Sequence, residues 1–296
     1  MPLAQELKPI EIEEYVDAVS FEMAVRALAD GAGTPVAGGT DLWIQKDLGK
    51  RAFGRRLVNI RRVGALGGIA EEGGRMRIGA LATVTEILES PLLLRAAPIL
   101  PATADRFASV QIRNAATVGG NIANASPAAD MVLPLLCLEA EVELARWHDS
   151  RVATRRLPLA EFFAGPGRTR ATSGEIITAV FFDRPAAGFH AAFQKSGPRP
   201  ALEIARVGLC LAGRREGRRL LSVRLAVGAV APTPIRCPRT EIAIEGAPLD
   251  ATAIARAVET LGGEIAPIDD VRGSAWYRRH LAAAFLEEEL GRVAQG

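Results

Sequence analysis

Cysteine is scarce in this chain of 296 residues. The three, Cys137, Cys210 and Cys237, are far apart, form no Cys-x-x-Cys pair, and each lies in or beside an apolar run. That pattern argues against a zinc or iron–sulfur site built by this chain alone and reads as buried, reduced thiols. His148, His190 and His280 are equally dispersed. An excess of one charge is missing too: the formal net charge is +2, too small for a nucleic-acid or membrane surface. Arginine pairs such as Arg55-Arg56, Arg61-Arg62 and Arg214-Arg215 read as solvated surface. No apolar run reaches the roughly 18 residues of a membrane span. The first residues, with Glu6, Glu11, Glu13 and Glu14, lack the basic and apolar regions of a signal peptide, so a cytoplasmic protein is expected. Neither the P-loop pattern G-x-x-x-x-G-K-[ST] nor the Rossmann pattern G-x-G-x-x-G occurs at the glycine-rich loops described below, which disfavours both phosphate-binding folds.

What is present is an ordinary globular composition, 49% hydrophobic and 24% charged, long enough for two domains and a large core without disulfides. Ser20 is expected to cap a helix reaching about Asp30, with Gly31 ending it. Short strands are expected at Pro35–Ala37 and Arg56–Ile60, a helix from Leu42 to Leu48 and a hairpin around Gly73-Gly74. Thr83-Val84-Thr85-Glu86 is a capping-box pattern. A helix is expected from Leu100 to Ala108, a loop from Thr117 to Pro127, and an apolar helix opened by Asp130 and running through Leu138. Glu141–Ala145 and Ile176–Phe182 read as strands, with Gly165 to Gly174 as an exposed loop. Beyond it, Val207–Ala212 and Leu221–Ala231 read as strands joined by polar Arg214–Arg219, and Asp250–Gly262 and Trp276–Leu290 as helices. The texture changes near Asp183–Gly188, where a domain boundary is expected. The mixed order of elements indicates an α+β protein.

Two glycine-rich segments carry the chemistry. One is Val36-Ala37-Gly38-Gly39-Thr40-Asp41-Leu42. The other runs Thr117-Val118-Gly119-Gly120-Asn121-Ile122-Ala123-Asn124-Ala125-Ser126-Pro127-Ala128-Ala129-Asp130. Paired glycines let a backbone approach a ligand closely, and successive N–H groups can point at phosphate oxygens. Thr40, Thr117, Asn121 and Ser126 add neutral hydrogen bonds. A single glycine pair is most often a tight turn. Two of them followed by small polar residues point to a dinucleotide-like anion.

These segments resemble the FAD-binding medium subunit of the xanthine dehydrogenase and carbon monoxide dehydrogenase family. Gly228-Ala229-Val230-Ala231-Pro232-Thr233-Pro234-Ile235-Arg236, Asp270-Val271-Arg272-Gly273-Ser274 and Tyr277-Arg278-Arg279-His280-Leu281 resemble that family's C-terminal signatures, in the same order. The resemblance implies a two-subdomain FAD-binding domain of the vanillyl-alcohol-oxidase/PCMH-like type over residues 1–184, divided near 60, and a smaller α+β domain over 185–296. It implies that Val36 to Leu42 (Ala37, Gly38, Gly39, Thr40 and Asp41 between them) and Thr117, Gly119, Gly120 and Asn121 wrap the FAD pyrophosphate. Asn124 and Asp130 would contact the sugar or phosphate-linking region, Phe107 the isoalloxazine, Ile177 the adenine end, and Lys195 the flavin region. Taken alone, Phe107 also fits helix core, Asp130 an N-cap, Ile177 strand core and Lys195 a solvated surface lysine.

The resemblance further implies non-covalent FAD, no catalytic side chain on this chain, and electron transfer from [2Fe–2S] clusters of a small subunit, with a molybdenum cofactor on a large subunit. The assembly would be a dimer of heterotrimers, and NAD, a quinone or oxygen would be the acceptor. Two departures stand out. Leu202 occupies a position where dehydrogenase relatives carry a carboxylate, with Glu203 beside it, and Trp276 stands where relatives often have a small or acidic residue. The iron–sulfur insertion of one benzoyl-CoA reductase branch is absent, its cysteines being missing. A free-standing flavin oxidoreductase and a flavin-less scaffold subunit are the competing readings.

Overall fold

The structure, a computed structural model, describes residues 12–197 and 203–295. Leu202 and the first glutamates, Glu6 and Glu11, lie outside the described residues.

The chain opens with a small parallel sheet of β1 (Glu14–Asp17), β2 (Gly33–Val36) and β3 (Arg56–Asn59) in the order β1-β3-β2. Parallel neighbours require crossovers, supplied by α1 (Phe21–Leu28) and by the segment holding α2 (Leu42–Asp47). Ser20 caps α1 by accepting from the Met23 N–H, and Gly31 leaves it at φ +72°. Ala24, Val25 and Leu28 bury one stripe of α1, whereas α2 buries no residue.

An antiparallel sheet follows, in the order β4-β5-β10-β6-β7. Its strands are β4 (Ile69–Glu72), β5 (Arg75–Gly79), β6 (Glu141–His148), β7 (Arg151–Pro158) and, much later in sequence, β10 (Ile176–Asp183) at the centre. β10 is buried through Phe182 on both faces, which explains its unbroken apolar run. Short helices connect β5 to β6: α3 (Val84–Glu89), α4 (Pro91–Ala96), α5 (Ile99–Asp105), α6 (Val110–Arg113), α7 (Val118–Ala123) and α8 (Val132–Cys137). Thr83 and Glu86 close a reciprocal capping box on α3. Between β7 and β10 lie α9 (Leu159–Phe162) and the small ladder of β8 (Phe163–Gly165) with β9 (Arg168–Thr169).

The last sheet is antiparallel, β11 (Phe189–Ser196), β12 (Val207–Glu216), β13 (Arg219–Gly228) and β14 (Ile235–Arg236), covered by α10 (Pro238–Ile244), α11 (Ala251–Gly262) and α12 (Ala275–Gln295). Strand alternation sorts its side chains by size. Val207, Leu209, Leu211, Leu225 and Val227 pack with Leu261, Leu286 and Leu290 of the helices. Cys210, Ala212 and Ala226 point the other way and join the core of the preceding domain. Gly208 and Gly228 share that smooth face: a Cβ on Gly208 would lie 2.9 Å from the Leu133 side chain. The face accommodates α8, in which all six residues are buried, as expected of a helix apolar all round.

Arg278 of α12, 1% exposed, ties the last domain together. Its guanidinium donates to the carbonyls of Arg206 and Ala229 and to Asp270 Oδ1 at 2.6, 2.9 and 2.7 Å. Ala229 in turn donates its N–H to Pro127 O at 2.7 Å, so the Asp-Val-Arg-Gly and Tyr-Arg-Arg motifs lead physically to the second glycine segment.

Three sequence expectations need correction. Thr117–Pro127 is not all loop: α7 runs through both glycines, because Thr117 caps it by accepting from Gly120 N–H and the backbone of Ala80 and Ala82 accepts from Gly119 and Val118. Asp130 does not cap α8, which starts at Val132 after Met131; its carboxylate is engaged elsewhere. Arg214–Arg219 is mostly strand, with the turn confined to Gly217 and Arg218.

Candidate functional site

The two glycine segments lie against each other. A Cβ on Gly38 would fall 2.0 Å from the Ala115 carbonyl oxygen, so this position accepts only hydrogen where the first segment crosses the backbone entering the second. At the far end Asn124 Nδ2 donates to Asp41 Oδ2 at 2.5 Å, and Gln45 Nε2 bridges Asp41 Oδ2 and Asn124 Oδ1 at 2.7 and 2.5 Å. Within each pair the glycines have different work. Gly119 is buried and a Cβ there would strike Ala80 at 2.7 Å, whereas Gly120 is exposed and a Cβ would meet only the Thr117 hydroxyl, at 2.9 Å. Gly39 takes φ +68°, its Cβ direction meeting only the tip of Trp43 and, farther off, a Val36 methyl.

Hydrogen-bond accounting separates the two segments further. The N–H groups of Gly38, Gly39, Thr40 and Asp41 make no hydrogen bond among the described residues, and they follow one another around a turn, the arrangement that binds anions. The second segment has spent its donors: Gly119 N–H on Ala80 O, Gly120 N–H on Thr117 Oγ1, Asn121 N–H on Thr117 O. It offers acceptors instead. Asn121 Oδ1 and Asp130 Oδ1 are buried without a partner among the described residues. An unmet buried acceptor costs about 1–3 kcal/mol, which a ligand bringing hydroxyl or N–H donors removes.

Asp130, 7% exposed, sits at the junction of the domains. Its Oδ2 accepts from Lys195 Nζ at 2.6 Å. The same ammonium donates to Glu203 O at 3.1 Å and Arg106 O at 3.4 Å. Burial pushes the Asp130 carboxyl up, against the pull of Lys195, and Glu203 pushes the same way as burial. Lys195 is therefore not the solvated lysine that its sequence context allows: its side chain is 3% exposed.

Phe107, partly buried against the core, follows Arg106 and precedes Ala108, which takes φ +39°; Arg113 Nη1 donates to the Phe107 carbonyl at 2.9 Å. This turn puts Phe107 next to the Lys195 contact. Ile177 lies in the sheet core at 8% exposure, paired with Leu144. Its neighbour Thr178 accepts from Ala80 N–H, and Ala80 O accepts from Gly119, a backbone route from β10 to the second glycine segment. The described residues contain no cluster of His, Cys, Asp or Glu able to hold a metal, and no helix among them is long and apolar enough to cross a membrane. All three cysteines are free and buried.

Sequence reasoning missed two features here. The Asp41–Gln45–Asn124 link escaped it because Gln45 belongs to no recognisable motif. The unengaged N–H run is a property of backbone geometry that composition does not encode.

A donor-rich turn and buried unpartnered acceptors, on two segments that meet at Gly38–Ala115 and Asp41–Asn124, fit a ligand with a diphosphate and sugar hydroxyls. Comparison with known proteins agrees. Residues 8–185 match the family "FAD binding domain in molybdopterin dehydrogenase", and residues 191–293 match "CO dehydrogenase flavoprotein C-terminal domain". The xanthine dehydrogenase FAD-binding subunit of Escherichia coli O157:H7 is 34% identical over 283 residues, 95% of each chain. The carbon monoxide dehydrogenase medium chain of Afipia carboxidovorans is 31% identical over 88% of each chain. In a reconstituted CO dehydrogenase from Oligotropha carboxidovorans, a chain 29% identical superposes with a TM-score of 0.89, covering 95% of this chain and 97% of that one.

Proposed function

The chain belongs to the family of FAD-binding medium subunits of molybdenum-containing xanthine and CO dehydrogenases, and we propose that it is the FAD-carrying, electron-transferring subunit of such a heteromeric enzyme. On this reading it receives electrons from [2Fe–2S] clusters on a small subunit, after substrate oxidation at a molybdenum cofactor on a large subunit, and passes them to NAD, a quinone or oxygen. Two such heterotrimers pair. When bound, the flavin supplies all of the redox chemistry, and the protein supplies binding, orientation and electrostatics.

The chain's own residues have defined tasks in this proposal. The N–H groups of Gly38 to Asp41, within Val36–Leu42, hold the diphosphate. Thr117, Gly119, Gly120 and Asn121 form the facing wall: Gly119 sets its depth, Gly120 leaves it open, and Asn121 Oδ1 accepts from the ligand. Asn124 fixes the first segment through Asp41. Asp130 accepts a sugar hydroxyl through Oδ1 while Lys195 holds Oδ2 and lessens the repulsion between this carboxylate and a phosphate. Phe107 flanks the ring system and Ile177 backs the adenine end. No histidine or cysteine stands in either segment to make a covalent link, so the flavin is held non-covalently.

The observation that carries the reading is the unengaged N–H run of Gly38–Asp41 set against the orphaned acceptors Asn121 Oδ1 and Asp130 Oδ1. Titrating the purified chain with FAD and following quenching of flavin fluorescence tests it. Saturable, stoichiometric binding is expected. Binding of FMN as tight as that of FAD would contradict the assignment of the diphosphate to these N–H groups.

A further inference from the structure

Trp43 leans back over the first glycine segment. It is the second residue of α2, and a side chain in the first turn of a helix points toward the residues before it. A Cβ built on Gly39 would lie 3.1 Å from Trp43 Nε1 and 3.3 Å from Trp43 Cδ1. The N–H edge of the indole, rather than its six-membered ring, therefore faces the Gly38–Asp41 turn. Phe53 holds the indole edge-on, with centroids 5.0 Å apart, and Lys46 lies over the Phe53 ring. Trp43 nevertheless stays 41% exposed, and its Nε1–H donates to no group among the described residues.

The turn has use for such a donor. Val36–Leu42 contains no lysine or arginine, and its charged side chain, Asp41, is an acid already held by Asn124 and Gln45. A diphosphate on the N–H groups of Gly38 to Asp41 thus meets neutral donors from this segment. Each phosphate oxygen accepts more than one hydrogen bond, so these N–H groups do not saturate it. An indole N–H is a donor and not an acceptor. Against a charged oxygen it makes a stronger bond than between neutral partners, and the ring that carries it shields that bond from water. The other two tryptophans are engaged elsewhere: Trp147 lies under Arg26 of α1, and Trp276 stacks on His280 of α12.

We propose that Trp43 is a further ligand-contacting residue of the flavin site, its indole N–H donating to the diphosphate held by Gly38–Asp41. This rests on the function proposed above. The test uses the isotope-labelled full chain, whose three tryptophans give separate indole N–H resonances, assigned with Trp147→Phe and Trp276→Phe. The probe is ADP, which carries the diphosphate without the flavin ring. Saturating ADP should move the Trp43 resonance downfield and leave those of Trp147 and Trp276 in place. Trp43→Phe keeps an aromatic ring beside Phe53 and removes the donor; its affinity for FAD and for ADP should fall by about tenfold, by the same factor for both, with the thermal midpoint of the ligand-free chain unchanged. A Trp43 resonance left in place by saturating ADP would overturn the proposal. So would wild-type affinities in Trp43→Phe, or a loss confined to FAD, which would set the indole against the flavin ring instead. The resonance measurement leaves Trp43 itself intact, so it decides the matter even where the variant unfolds. A chain that binds neither FAD nor ADP would overturn the functional assignment and this contact with it, whereas FAD binding with an unmoved Trp43 would sink the contact alone.

Discussion

Lys195 on β11 and Asp130 at the end of the second glycine segment form a buried ion pair, 2.6 Å between Nζ and Oδ2, that joins the C-terminal domain to the domain before it. Asp130 closes the second glycine segment, Lys195 is brought to it across 65 residues of sequence, and together they set the charge at the junction. Lys195→Met leaves the Asp130 carboxylate buried and unpaired. We predict a loss of about 3–5 kcal/mol of stability and weaker FAD binding. Urea unfolding with and without FAD reads both; unchanged midpoints would show that the pair carries no stability.

The Asp41–Asn124 bond predicts a milder effect. Asn124→Ala removes the staple between the segments but not their crossing at Gly38 and Ala115. Stability should fall by about 1 kcal/mol, and FAD affinity should fall by about tenfold as the first segment loses its fixed position. Calorimetric titration separates the two from a general loss of fold.

The glycines should divide by role. Gly119→Ala drives a methyl into Ala80 and should cost about 1–3 kcal/mol by overpacking. Gly120→Ala meets only the Thr117 hydroxyl and should cost no more than a cap, about 1 kcal/mol, while weakening FAD binding. Thermal melts of the FAD-free proteins should order Gly119→Ala below Gly120→Ala, and FAD titration of the folded fraction should show the loss in Gly120→Ala.

Much of this was legible in the sequence. Ser20, the Thr83–Glu86 box and the strand alternation around Leu209 and Leu225 each announce a local rule that the structure obeys. The misses have physical causes. Helix α7 is hidden because Gly119, Gly120 and Asn121 are poor helix formers, and only the backbone of Ala80 and Ala82 compensates. Strand β7, Arg151–Pro158, is largely solvent-facing and carries arginines instead of an alternating apolar pattern. Strand β11 has few β-branched residues. The site residues came from motif resemblance; the burial of Lys195 and the link through Gln45 depend on contacts across long sequence separations.

Asp270 predicts an acid limb. Burial works against its charge, but hydrogen bonds from Arg272 and then Arg278 hold its carboxyl well below the ordinary value. A folded pKa below the unfolded one contributes stability that is complete above the unfolded value, about 3.9, and is lost as pH falls through the folded value. Asp270→Asn should therefore reduce stability at neutral pH and flatten its decline below about pH 4. Parallel acid-unfolding curves for the two proteins would contradict this.

The most direct test of the central claim is the flavin, iron and molybdenum content of the complex pulled down with this chain from its native host, followed by substrate-driven bleaching of the flavin bands. The account predicts FAD with iron and molybdenum on two further polypeptides. FAD with no partner would indicate a free-standing oxidoreductase, and a chain that takes up no FAD even when it is added would contradict the account outright.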